Sequence, residues 1–486
     1  MFLTGWACQE KEPPVQPDDP PTLYRAWVGF TDKGDPSERR IKRIYRKLEK
    51  SFPERTLERR KKRRTAPGLF DEYDIPIPQK YLHALEDAGA EIRIRSHWLN
   101  GTTVVASEYQ LRQIAGFSFV KEVTDRYEYI KDRSGLIDDA APVTRELQGQ
   151  PAEFFPGYQQ QFYGLSREQV EQINLHHLHR QDLSGKGIRI GVLDTGFFLK
   201  HKAFNHPDHP IHIISQWDLV NNDSITDVEP VDAIGQHIHG TFILGTLASH
   251  APFELVGNAW EAEYILCKAE DALEEYPLEE KWFVAALEYA ERMGADIITS
   301  SLVLYHHYAS EDMDGQTSVM TLGWNIATRN GVIGFEGSGN YGHDEDPALP
   351  HLEVPADAME VITVGAVRSD GTMARFSSDG PTADGRIKPE VVCRGEQVYT
   401  ISPIDPELFT TASGTSLATP QMAGAVACLL QAIPDLNVEG IRTLLFDSGD
   451  YYREHGQPDS LFVRGYGIPD FQFILDEWNN EGGMME

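Results

Sequence analysis

Apolar and polar positions along this chain alternate in mixed rhythms up to about residue 131 and in a regular strand–helix succession after residue 166. Residues 23–30 alternate as a strand does. Residues 37–64 carry helical spacing with a break at Phe52-Pro53, where proline cannot continue a helix. Residues 79–88 place Leu82, Leu85 and Ala88 on one helical face. Residues 91–95 and 102–106 form two further strand patterns around Asn100-Gly101, a pair suited to a tight turn. A helix over 110–115 and a strand over 119–123 complete a small α+β unit spanning 22–131.

Residues 132–161 are rich in Asp, Pro, Gly and Gln, which reads as a linker. Beyond it, 166–178 is predicted helical, with Val170 and Ile173 on its apolar face. Apolar strands follow at 187–194, 262–268, 296–302, 332–335 and 359–367. Helices are predicted between them at 240–248, 282–292 and 319–329, and after them from 418. Near-continuous apolar strands separated by helices predict a doubly wound, mostly parallel α/β sheet over 162–475. Ligands gather at the carboxyl ends of such strands.

Charge changes the picture in one place. The 486 residues carry a formal −31, which opposes nucleic acid as a partner. Residues 36–66 nevertheless hold 14 Lys/Arg against 4 Glu, a net +10, leaving −41 for the remainder. Two readings are open: attraction of this segment to the acidic body, or a solvated helical face with a flexible basic loop at 59–64. No run of eighteen apolar residues is present. Four cysteines make no disulfide framework; Cys267 and Cys428 lie in apolar runs and read as core. Cys8 follows a short apolar run and precedes a Pro-rich tether, so residues 1–21 resemble a truncated lipoprotein leader. Cys8 is therefore the one expected route to a membrane. Residues 476–486 read as an acidic tail.

Three polar residues stand at element ends. Asp194 closes a strand, His239 opens a helix after Gln236-His237-Ile238, and Ser416 lies in the small-residue run Gly414-Thr415-Ser416-Leu417-Ala418-Thr419-Pro420. Pro420 is expected in that helix's first turn, where its missing N–H costs nothing. A carboxylate that orients a histidine, and a histidine that takes the proton of a serine, turn a weak hydroxyl into a nucleophile. Asn340, after Gly337-Ser338-Gly339, offers a side-chain amide to the resulting oxyanion. His237 is expected at the rim. The order Asp, His, Ser excludes α/β-hydrolases, whose nucleophile comes first and sits in Gly-x-Ser-x-Gly.

These motifs resemble those of the subtilases, the subtilisin-like serine proteases, over about 187–469. The resemblance implies peptide-bond hydrolysis through Asp194, His239 and Ser416, with Asn340 in the oxyanion hole. Ser301, Leu302, Val303, Gly337, Ser338 and Gly339 would line the substrate site. It further implies polypeptide substrates, an inhibitory propeptide over 22–131, a processing site in 132–161, and a secreted or cell-envelope location. The chemistry requires no cofactor and no metal; structural calcium is left open, since the short 249–257 connection departs from the family's tight calcium loop. Val303 and Phe242 also depart from the family pattern. Glu270, Asp271, Glu274, Glu275, Glu279 and Glu280 cluster where upstream substrate residues bind. They read as a solvated rim, a calcium site or a selector for basic side chains. The rivals are a non-catalytic peptide-binding or inhibitory module on the same fold and an intracellular processing enzyme.

Overall fold

The computed structural model describes residues 22–131, 133–134, 162–273, 276–303, 308–344 and 346–480, with the backbone of 145–147. The N-terminal unit begins with β1 (Leu23–Phe30), followed by helices α1 (Glu38–Ser51) and α2 (Glu54–Arg63), which break at Phe52-Pro53 as the spacing predicts. Helix α3 (Gln79–Asp87), β2 (Glu91–Ser96), β3 (Gly101–Ser107), α4 (Glu108–Ala115) and β4 (Val120–Glu128) complete it. The four strands form an antiparallel sheet in the order β2-β3-β1-β4. Asn100 turns the β2–β3 hairpin with φ of 52°, a conformation asparagine tolerates better than most residues. Leu82, Leu85, Leu111 and Ile114 from α3 and α4 are buried on Ala26, Val28, Val104 and Ala106, giving this unit its own core.

The body is built on seven parallel strands: β6 (Arg189–Asp194), β7 (His212–Asp218), β10 (Glu263–Lys268), β11 (Ile297–Ser300), β12 (Ile333–Gly337), β13 (Ile362–Val367) and β14 (Val391–Arg394). Between β7 and β10 lies a short hairpin of β8 (His250–Ala251) and β9 (Leu255–Val256). The sheet order is β14-β13-β12-β11-β6-β10-β7, so the chain starts in the interior and winds outward both ways. Short helices α5 (Arg167–Gln172) and α6 (His176–His179) precede it. Helices α7 (Ile238–Ala248) and α10 (Thr415–Ala432) cover one face, and α8 (Glu279–Arg292) and α9 (Val319–Arg329) the other. Side chains alternate accordingly: Ile190 and Val192 of β6 join the first core, Leu193 the second.

The second face of the N-terminal sheet packs on the body. Trp27, Ile94 and Trp98 share a buried cluster with Trp282, Phe283 and Leu287. The Glu288 carboxylate of α8 accepts the Ser96 hydroxyl at 3.0 Å and the N–H groups of His97 and Trp98 at 2.9 and 3.2 Å. One acidic side chain thus caps the β2–β3 connection. A second foothold is made by α2. Arg59, Arg60 and Arg63 are buried. Arg59 pairs with Glu291 and donates to the carbonyls of Glu291 and Ala295 at 3.0 and 2.6 Å. Arg60 bridges Glu291 and Asp74, and Arg63 reaches Asp296 at 3.1 Å. The flexible-loop reading of 59–64 fails, because the helix runs to Arg63 and each buried guanidinium is matched to a carboxylate; the solvated face is confined to Lys61 and Lys62.

Other differences have local causes. The helix expected over 166–178 is two helices, since Asn174 adopts φ of 55° between them. β4 continues past the predicted Val123 to Glu128, which pairs with Tyr24, so residues 124–128 belong to the N-terminal sheet. Within the linker, Arg133 is buried, and β5 (Arg145–Leu147) pairs antiparallel with β16 (Phe409–Ala412), itself paired with β15 (Val398–Ile401). β7 was illegible because it is an edge strand with a half-exposed pattern. A closing helix, Phe471–Asn480, buries Phe471, Ile474 and Leu475, so residues 476–480 continue the body and do not belong to a tail. Cys267, Cys393 and Cys428 are all buried thiols. Cys8, Glu274 and Glu275 lie outside the described residues. No described helix is long and apolar enough to cross a membrane.

Candidate active site

The carboxyl ends of β12, β11, β6, β10 and β7 form a row, and the polar residues singled out by sequence stand along it. Asp194 ends β6 and is fully buried. Its Oδ1 accepts the Thr195 N–H and the His239 ring Nδ1, each at 2.7 Å. A carboxylate of this kind only accepts, so Nδ1 carries the hydrogen and Nε2 is left as the basic nitrogen. His239 is the second residue of α7. Gly240 allows the helix to come this close, because a Cβ there would lie 2.2 Å from the Gly196 carbonyl and 3.0 Å from Asp194 Cβ. Burial disfavours the charged imidazole, but the Asp194 charge and hydrogen bond outweigh it, and the His239 pKa is raised above the usual histidine value. His237 is half-buried, with its Nε2 2.9 Å from the Pro403 carbonyl.

Ser416 is the second residue of α10, after the cap Gly414. Its N–H is among the first four of the helix, which have no intrahelical acceptor and face developing negative charge. Pro420 is the sixth helical residue, in the second turn and not the first. Lacking an N–H, it leaves the Ser416 carbonyl without its usual partner. Ser301, just beyond β11, supplies one: its hydroxyl donates to the Ser416 carbonyl at 3.2 Å. Among the described residues no hydrogen bond joins Ser416 Oγ to His239 Nε2.

Asn340 follows β12 and is exposed. Its Oδ1 accepts the Thr415 N–H at 2.9 Å and the Thr415 hydroxyl at 3.2 Å. A backbone N–H can only donate, so this contact fixes which end of the amide is oxygen. The Nδ2 end is then the one left to donate beside Ser416. Gly339, with φ of 108°, also receives the Thr415 hydroxyl on its carbonyl at 3.2 Å. Gly337 closes β12 and Ser338 is buried behind it. Leu302 and Val303 border a depression lined also by Glu270, Glu279, Phe283 and Met320. Phe242 is buried in the core beneath α7.

The acidic cluster is largely internal, which corrects its reading as a solvated rim. Asp271, Glu279 and Glu280 are buried. Glu279 accepts the Asp271 N–H at 2.8 Å, and burial pushes its pKa well up. Glu280 accepts the Tyr308 hydroxyl and pairs with Lys281 at 3.1 Å. As for calcium, the 249–257 connection is a hairpin whose Glu254 pairs with Lys202. Among the described residues one carboxylate group could share a cation, Asp218, Glu229 and Asp232. The Lys268 ammonium already stands between them, 2.8 Å from Asp218 and 2.5 Å from Asp232. The set therefore fits an internal lysine better than a metal.

An all-parallel sheet with Asp194, His239 and Ser416 met in that chain order defines the subtilisin-like class. Residues 185–467 match the model of the subtilase family, Peptidase S8, and residues 25–137 match a Peptidase S8 propeptide domain described for Bacteroidota. The chain belongs to the subtilase family. It is 30% identical over 306 residues to serine protease AprX of Bacillus subtilis, covering 56% of this chain and 64% of that one. It is 28% identical to the major intracellular serine protease of the same organism, over 54% of this chain and 74% of that one. Human membrane-bound transcription factor site-1 protease is 30% identical over 55% of this chain but only 23% of its own length. The chain thus spans less than two thirds of AprX and under a quarter of site-1 protease. Among solved structures, fervidolysin from Fervidobacterium pennivorans, a keratinolytic enzyme related to subtilisin, matches with a TM-score of 0.59 and 16% identity. That match covers 95% of this chain and 62% of the other, and it speaks for the fold.

Proposed function

We propose that this chain is a serine endopeptidase made as a proenzyme, with residues 22–131 as an intramolecular inhibitor. The observation that carries the reading is the 2.7 Å contact of His239 Nδ1 with buried Asp194, set beside an Asn340 amide oriented by Thr415. In this reading Ser416 Oγ attacks the peptide carbonyl while His239 Nε2 takes its proton. Asp194 stabilises the imidazolium and does not itself take the proton. The Ser416 N–H and Asn340 Nδ2 hold the oxyanion, His239 returns the proton to the leaving amine, and water then releases the acyl group. Leu302, Val303 and the 337–339 segment border the bound peptide. The chain's own linker is the first substrate, with the processing site within 132–161. Two of its segments are held on the body, Arg133 by Asp271 and β5 by β16, whose last residue, Ala412, precedes Ser416 by four positions. A propeptide of this kind fits a secreted or cell-envelope enzyme, with Cys8 as its lipid anchor; no cofactor takes part in the chemistry.

Ser416→Ala tests the reading. Peptide hydrolysis should fall to the residual rate supplied by binding and the oxyanion hole, and the precursor should remain uncut. Normal hydrolysis by the variant would reject Ser416 as nucleophile.

A further inference from the structure

The row of strand ends continues past Asp194 into a pocket that the reaction does not use. Ala269 donates its N–H to the Asp194 carbonyl at 2.8 Å. Gln236 ties the two places together, its Nε2 lying 2.7 Å from both the Thr195 and Glu270 carbonyls. Next to this bridge the buried Arg133 guanidinium enters a pocket of acidic groups. It pairs with Asp271, donates to Asn221 Oδ1 at 2.8 Å, and lies 3.8 Å from Asp232. The Arg133 N–H is held by the Val231 carbonyl at 3.1 Å. Asn221 is itself aimed: its Nδ2 donates to Asp218, Glu229 and Asp232 at 3.0 to 3.1 Å, which turns its oxygen toward the guanidinium.

Two features make this a binding pocket and not a plain structural ion pair. The occupant is delivered by the propeptide match, which ends at residue 137, while every acidic partner belongs to the body. Two other propeptide cations reach this place, Arg25 donating to the Val220 carbonyl at 2.8 Å and Arg93 to the Asn221 carbonyl at 2.6 Å, and both would leave with it. Without the propeptide, the buried Asp218, Asp232 and Asp271 face the single Lys268 ammonium, and buried carboxylates in that imbalance favour a second cation. Chain polarity sets its register: any cut within 132–161 that follows Arg133 leaves that residue on the acyl side.

Resting on the proposed protease activity, we infer that Asp271, Asn221 and Asp232 form a subsite for an arginine side chain upstream of the scissile bond. In the precursor, Arg133 fills the subsite in the manner of a substrate. A planar guanidinium suits it because two of its nitrogens already reach two different acceptors, Asp271 and Asn221, which a lysine ammonium reproduces poorly.

The test uses the processed enzyme and a set of fluorogenic peptides identical except for one arginine, glutamine or lysine moved through the upstream positions. At one position arginine should raise kcat/KM over glutamine by roughly tenfold or more, as a charge-assisted, buried hydrogen bond does, with lysine between. In Asp271→Asn and in Asn221→Ala that ratio should collapse toward one. In the full chain, Arg133→Ala should slow precursor cleavage, and Arg133→Lys should restore it in part. Cleavage of the glutamine peptides with no arginine preference at any position would overturn the inference while leaving the protease reading intact. An arginine preference undiminished in Asp271→Asn would overturn it too. Failure to cut any of the peptides would reject both readings together.

Discussion

Glu291→Gln removes the charge at the centre of the propeptide's second foothold without touching the substrate site. In the parent, the Glu291 carboxylate takes Arg59, and Arg60 through Nε at 2.7 Å and Nη2 at 2.9 Å. Burial alone would raise this carboxyl, but Arg60 and Arg59 overturn that and hold it below the usual glutamate range. After the substitution Arg60 still has Asp74 at 2.9 Å. Arg59 keeps the carbonyls of Glu291 and Ala295 and at best a neutral side-chain amide oxygen, and is buried with no counter-charge. Removing one partner of a buried pair costs about 3–5 kcal/mol. The surviving carbonyl contacts argue for the lower end, about 3 kcal/mol, or roughly a hundredfold in affinity. The assay is inhibition of the processed enzyme by a propeptide fragment of residues 22–134, followed in time at low and high salt. Dissociation should accelerate about a hundredfold in Glu291→Gln while association changes little, because desolvated pairs act after encounter. High salt should slow association in both proteins. An inhibition constant within threefold of the parent would refute the claim that these arginines anchor the propeptide.

Two further outcomes concern the chemistry. Asn340→Ala should lower turnover by roughly 10²–10³ with little change in KM, the signature of a donor used in the transition state; equal turnover in initial-rate assays would remove Asn340 from the oxyanion hole. Activity should rise with pH through one ionisation lying above about 6.5, because His239 must be neutral to accept a proton and Asp194 holds its pKa up. In Asp194→Asn the residual activity should rise through a lower midpoint, and a pH–rate profile unmoved by that change would contradict the sign of the coupling.

The candidate reactive residues stood out because each lies in a short local pattern: a strand end at Asp194, a helix start at His239 and a run of small residues at Ser416. What surrounds them depends on contacts distant in sequence. Pro420 looked like a first-turn residue, since nothing local shows that α10 begins as early as Thr415. Its consequence, the Ser416 carbonyl handed to Ser301, joins positions 115 residues apart. The basic run 59–64 is indistinguishable by composition from a solvated helix. Arg59, Arg60 and Arg63 are buried, while Lys61 and Lys62 stay exposed, because Glu291 and Asp296 sit at the far ends of α8 and β11's lead-in. Residues 124–128 carry few apolar side chains, so the predicted strand stops at Val123, yet their backbone pairs with β1. Arg133 gave no signal, because a lone arginine in a polar linker acquires meaning only beside Asp271.

In the proposed mechanism Ser416 is the one hydroxyl activated by His239. The direct measurement is to treat the processed enzyme with a fluorophosphonate probe, digest it and locate the adduct by mass spectrometry. A single adduct on the peptide bearing Ser416, absent in His239→Ala, is the predicted result. An adduct on another serine, or labelling of Ser416 that persists undiminished without His239, would contradict it.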